Sequence, residues 1–218
     1  MSFEIIKLKT KDDWEITGDY YAPDNAFGTS VLMLHMMPAN RKSFSEIAVA
    51  LLRIGFSGLA IDLRGHGESK GGPDGYKAFS DKEHQDSIYD VVSAADFLKT
   101  KGAKKIFIIG ASIGANLALQ YLSMEPAVKA AVLLSPGLNY KGLMIDVFVK
   151  NVGTGKAIYF VASEGDKYSM ESTRSLYDMT PDDVKKDIMA FDRGGHGTNL
   201  FDSHPELIND IVLWFKNL

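Results

Sequence analysis

The chain of 218 residues contains no cysteine. That absence excludes disulfides, a thiolate nucleophile and Cys-ligated metal sites. A basic excess is missing too: 24 Lys and Arg stand against 28 Asp and Glu, for a net charge of -4. Such a balance gives no electrostatic footprint for nucleic acid or an anionic membrane, and neither partner is expected. The N-terminal stretch Met1 to Lys7 alternates apolar and polar residues instead of offering a basic start and an apolar signal region, so a cytoplasmic location is expected. There is no repeat, low-complexity tract or linker. His, Asp and Glu do not cluster at metal-ligand spacing, and no metal or cofactor is expected.

What is present is an ordinary globular composition, 45% hydrophobic, at a length suited to one α/β domain over residues 1–218. Phe3 to Lys9 and Trp14 to Tyr21 alternate in polarity around Lys11-Asp12-Asp13, the pattern of an antiparallel hairpin at a sheet edge. Apolar runs predict buried strands at Val31 to Leu34, Ser57 to Ile61, Lys105 to Ile109, Val128 to Leu134, Ala157 to Val161 and Ile188 to Phe191. Between them, helical spacing predicts helices over Ser43 to Ile54, with Ser43 and Glu46 as capping box, over Glu83 to Lys99, and over Glu206 to Phe215. Strands alternating with helices imply a mostly parallel sheet with right-handed crossovers.

The most informative run is Gly110-Ala111-Ser112-Ile113-Gly114. An apolar strand precedes it, and Ala115, Leu117, Ala118, Leu119, Tyr121 and Leu122 follow at helical spacing up to Glu125-Pro126. A serine on so tight a strand-to-helix turn needs glycine on either side, where backbones approach closely. It also stands at a helix N-terminus, which favours developing negative charge. Ser112 is therefore a candidate nucleophile.

A serine hydroxyl needs a base, and the base an orienting carboxylate. In a parallel sheet both should follow strand ends. His196, in Arg193-Gly194-Gly195-His196-Gly197, follows the last strand; Asp166, in Glu164-Gly165-Asp166, follows the preceding one. Glu164 is the rival carboxylate, and Asp166 is favoured because it extends further past the strand end. His35 and His66 precede Ser112 and read as loop-ordering residues, while His84 and His204 read as exposed residues at helix termini. An oxyanion needs two backbone donors: Ile113, next to the serine, and Met37 in the loop after Val31 to Leu34, with Met36 as the alternative.

Together these segments resemble the α/β-hydrolase family of serine esterases over nearly the whole chain. The elbow Gly110 to Gly114, the loop Asp62-Leu63-Arg64-Gly65-His66-Gly67-Glu68-Ser69, Gly165-Asp166 and Gly195-His196 carry the resemblance. It implies an α/β-hydrolase fold: a mostly parallel eight-stranded sheet with an antiparallel N-terminal edge and helices on both faces. It also implies a triad of Ser112, Asp166 and His196, and an oxyanion hole from the Ile113 and Met37 backbone. Two features depart from the family pattern. Met36 stands where many members have glycine, and residues 135–156 leave room for only a short lid-like insertion. A short helix through Met144, Val147 and Phe148 is expected there, edging with Met36 an open apolar pocket for a small to medium acyl group. The same residues would equally pack onto the core or meet a second copy of the chain as a homodimer. A serine at the elbow argues against epoxide hydrolysis and dehalogenation, which use a carboxylate there in this family. The expected substrate is a small-molecule carboxylic ester cleaved through an acyl-enzyme. Thioesters, amides and small peptides stay open, as does a ligand receptor without turnover.

Overall fold

The computed structural model describes residues 3–24 and 27–218; Met1 and Ser2 of the N-terminal pattern lie outside them. In chain order the elements are β1 (Glu4–Lys9), β2 (Glu15–Tyr21), β3 (Thr29–Leu34), α1 (Ser45–Arg53), β4 (Ser57–Ile61), α2 (Asp81–Gln85), α3 (Ile88–Thr100), β5 (Lys105–Ala111) and α4 (Ile113–Met124). There follow β6 (Val128–Leu134), β7 (Asn139–Tyr140), β8 (Leu143–Met144), α5 (Asp146–Val149), β9 (Ala157–Ser163), α6 (Lys167–Met179), β10 (Lys185–Phe191), α7 (Asn199–Ser203) and α8 (Glu206–Lys216). Eight strands form one sheet in the order β1-β2-β4-β3-β5-β6-β9-β10, and β7 and β8 pair as a separate hairpin. The β1-β2 and β2-β4 pairs are antiparallel and the rest parallel. This is the sheet that the resemblance implied.

Alternation along each strand divides the core in two, because successive side chains leave opposite faces. Leu32, Leu34, Ile106, Ile108, Leu133 and Phe160 pack under α3 and α4. Val31, Met33, Phe107, Ile109, Val132 and Val161 pack under α1 and α8. The register pairs Leu34 with Gly110, Ala111 with Leu134, Leu134 with Val161 and Ser163 with Phe191. Hence the loops after β3, β5, β6, β9 and β10 emerge along one sheet edge, where ligands collect in such folds.

Four local expectations are corrected. The helix expected from Ser43 is a 3₁₀ turn, Arg41–Phe44, followed by α1; Asn40 Oδ1 caps it by accepting from Lys42 N–H, and the Ser43 hydroxyl donates back to the Asn40 carbonyl. The helix expected over Glu83 to Lys99 is broken at Asp86-Ser87 into α2 and α3, with a capping box from Ser80 to Glu83. That break turns His84 inward, buried and edge-on to Phe79. Met144 lies in β8, and only residues 146–149 of the insertion are helical.

Candidate active site

At the elbow, Ser112 has φ 54 and ψ -120, a left-handed conformation that costs about 1–3 kcal/mol and persists only where its surroundings impose it. Here they do. Ser112 N–H donates to the Leu134 carbonyl at 2.8 Å, and its own carbonyl accepts from Ala115 N–H at 2.9 Å. The glycines are sterically necessary: a Cβ on Gly110 would stand 2.2 Å from the Gly114 carbonyl oxygen, and one on Gly114 would stand 2.2 Å from that of Leu34. Their absence lets the N-terminus of α4 press against the end of β3.

Asp166 is the N-cap of α6, and its two oxygens divide their work. Oδ1 accepts from Ser169 N–H at 3.4 Å, and Oδ2 accepts from His196 Nδ1–H at 2.5 Å. That pairing leaves His196 Nε2 as the acceptor nitrogen. Glu164 instead pairs with Arg174 on the exposed surface. The His196 loop is held by Gly197 N–H, which donates to the buried Ser135 hydroxyl at 2.9 Å. Among the described residues His196 bonds to Asp166 and Ser169, and not to Ser112. The structure thus brings Asp166 and His196 into contact and leaves the bond from His196 to Ser112 unmade.

His35 is fully buried, and desolvation with the nearby His66 lowers it to about 3. It is neutral: Nδ1–H donates to the Met36 carbonyl at 2.9 Å and Nε2 accepts from Leu63 N–H at 3.0 Å. Within one trans peptide the C=O and N–H point opposite ways, so the Met37 N–H is turned from His35. Among the described residues neither Met37 N–H nor Ile113 N–H finds a backbone acceptor. His66 is buried against the Tyr76 ring, its Nδ1–H donating to the Arg64 carbonyl at 2.9 Å. Both histidines order loops, as expected from the sequence.

Of the expected pocket residues, Met36 is buried beside Gly197. Met144 and Val147 are exposed, and Phe148 packs half-buried on the α4 side. Among the described residues no three His, Cys, Asp or Glu side chains converge on a common metal site. Sequence reasoning missed Tyr140. Its hydroxyl sits 3.0 Å from Ser169 Oγ, and its ring stands edge-on to His196 at 6.2 Å. The one signal was the polar residue Asn116 inside the apolar helix α4, which anchors the segment carrying Tyr140.

Residues 29–153 match the family described as alpha/beta hydrolase fold. A stretch of 111 residues, 50% of this chain, is 33% identical to epoxide hydrolase 3 of Siraitia grosvenorii and covers 32% of that protein. Another of 117 residues, 53% of the chain, is 28% identical to the AB hydrolase superfamily protein YisY of Bacillus subtilis (strain 168), covering 40% of it. The matches thus span well under half the length of either curated relative. The Pyrococcus furiosus esterase Pf2001 shares the fold at a TM-score of 0.82 and 17% identity, over 99% of this chain and 92% of that one. Since the family match takes in more than half of the sequence, from β3 through the elbow and most of the insertion, the chain belongs to the alpha/beta hydrolase fold family.

Proposed function

We propose that the protein is a serine hydrolase that cleaves carboxylic esters of small to medium acyl groups through an acyl-enzyme. The observation that carries the reading is the Asp166-His196 contact at 2.5 Å on the loops beside the strained Ser112. In the reaction His196 Nε2 closes onto Ser112 Oγ and takes its proton as the oxygen attacks the ester carbonyl. Apo hydrogen bonds of this kind commonly tighten only around substrate. Asp166 fixes the tautomer and stabilises the imidazolium. The carbonyl oxygen, now negative, receives the Ile113 and Met37 N–H groups, a reading supported by the close approach of Gly114 to the Leu34 and His35 carbonyls. His196 then returns the proton to the departing alcohol, and water releases the acid by the same steps. Met144, Val147 and Phe148 rim the acyl side, while Met36 shapes the His196 loop from beneath.

The test is turnover of p-nitrophenyl esters of increasing chain length by the wild type and Ser112→Ala, with fluorophosphonate labelling of both. Labelling of the wild type alone, and a drop of about 10³-fold or more in kcat for the variant, are expected. Equal turnover by the two proteins would refute the assignment of Ser112.

A further inference from the structure

The insertion after β6 is braced from two helices. Asn116 of α4, fully buried, donates to the carbonyls of Gly137 at 2.8 Å and Leu143 at 3.2 Å and accepts from Gly137 N–H at 3.2 Å. From α6, the Tyr168 hydroxyl donates to the Asn139 carbonyl at 2.9 Å and accepts from Asn139 N–H at 3.0 Å, and Ser172 Oγ accepts from Leu138 N–H at 3.1 Å. Gly137 leaves room for the ring between them: a Cβ there would stand 2.6 Å from the ring of Tyr140. Tyr140 is therefore held over the site with little freedom.

The hydrogen-bond directions can be followed outward from His196. Its Nδ1–H donates to Asp166, and Ser169 Oγ, 3.4 Å from the same nitrogen, is placed as a second acceptor. The Ser169 proton is then directed at the Tyr140 oxygen, 3.0 Å away. This leaves the Tyr140 proton with a 3.4 Å contact to the Ser135 carbonyl, long enough for a better acceptor to displace it. Burial raises Tyr140, which is therefore protonated at neutral pH.

We infer that Tyr140 is a further catalytic residue of the ester hydrolysis proposed above: its hydroxyl donates a hydrogen bond to the alkoxy oxygen of the ester as that oxygen departs. The inference rests on that reading. The departing oxygen must lie at His196, which protonates it, and Tyr140 stands edge-on to that ring. As Ser112 Oγ bonds the carbonyl carbon and the C–O bond to the alcohol breaks, the electron pair stays on the alkoxy oxygen. The proton taken from Ser112 reaches it through His196, and Tyr140 keeps its own. Such a donor matters most where the departing oxygen carries most charge, so it suits esters of unactivated aliphatic alcohols.

The experiment measures kcat/KM of wild type and Tyr140→Phe on acetate esters of p-nitrophenol, phenol and ethanol, with Ser112→Ala as background. The variant should lose about 10- to 100-fold more on the ethyl ester than on the p-nitrophenyl ester, a steeper dependence on the leaving group. A uniform loss across the series, the mark of a structural role, overturns the inference, as does an unchanged ethyl ester rate. Absence of Ser112-dependent turnover in the wild type would instead remove the ester-hydrolase reading, and the inference with it.

Discussion

Asp166 performs two tasks through different atoms, so substitutions can separate them. Oδ1 caps α6 through Ser169 N–H, and Oδ2 holds His196 Nδ1–H. Asparagine caps helices about as well as aspartate, whereas loss of a cap to alanine costs about 1 kcal/mol, or about 2–4 °C in Tm for a chain of this size. At Oδ2 the ranking differs. The amide of Asp166→Asn offers N–H where His196 needs an acceptor, moving the imidazole proton to Nε2 and, in the proposed reaction, leaving no base for Ser112. In serine triads the wrong tautomer costs about 10⁴ in kcat. Asp166→Asn should thus melt close to wild type yet lose about 10³- to 10⁴-fold in p-nitrophenyl acetate turnover, while Asp166→Ala loses both. Glu164→Ala, breaking an exposed pair with Arg174, should change neither by more than the small amount a surface ion pair supplies. Circular-dichroism melts and initial rates on the three variants decide it. Asp166→Asn retaining a large share of activity, or Glu164→Ala losing it, would show that Asp166 only caps a helix.

Other perturbations have equally definite outcomes. Gly197 has φ 59, and a Cβ there would stand 2.5 Å from Met36 Sδ; Gly197→Ala should cost about 2–4 kcal/mol in urea unfolding and displace the neighbouring His196. Arg41→Met leaves the buried carboxylates of Asp19 and Asp62 without their shared guanidinium, and a loss of about 3–5 kcal/mol in the same assay is expected. His35 stays neutral in the fold down to about 3, whereas the unfolded chain takes up its proton below about 6.5, so stability must fall as pH drops through that value. Between pH 7.5 and 5, wild type should lose roughly 2 kcal/mol more than His35→Gln; parallel pH profiles would disprove a neutral, buried His35.

The parallel strands were legible because burial on both faces writes a nearly continuous apolar run: the bounds expected for Ser57–Ile61 and Val128–Leu134 are those observed. The exposed edge strand β10 starts at Lys185, three residues before the expected Ile188, because Lys185, Lys186 and Asp187 carry no apolar signal. Helix α6 went unread for a related reason. Three of its five buried residues, Ser169, Ser172 and Thr173, are hydroxyl-bearing, so few apolar residues mark the face that the helix turns to the site. The hairpin of β7 and β8 is too short for any period, and its position follows from long-range bonds to Asn116 and Tyr168. The pairing of Asp166 with His196 could be anticipated from the order of strand ends. Tyr140 could not, since nothing local to Asn139-Tyr140 directs that ring toward His196.

The segment Asp62 to Ser69 gains a physical meaning from its contacts. The buried Asp62 carboxylate accepts from Arg41 N–H at 2.7 Å, from Glu68 N–H at 2.8 Å and from the Arg41 guanidinium, which also donates to Asp19 at 2.8 Å. Gly67 is required for the loop to wrap that carboxylate, since a Cβ would stand 2.1 Å from Asp62 Oδ2. Buried ion pairs of this kind add little net stability over apolar replacements, because each charge loses several kcal/mol of hydration. Their yield is position. Arg41 and Asp62 tie the loop after β3 to the loop after β4, and His35 ties them again through the Met36 carbonyl and Leu63 N–H. Two cross-links thus join these loops, and one of them ends on the Met36-Met37 peptide itself. In the proposed reaction that peptide supplies an oxyanion donor, and preorganised donors act by not having to reorient as charge develops. On that proposal the charged network and the neutral histidine serve one end, a Met37 N–H held in a fixed direction, where a merely well-packed loop would leave it free to turn away.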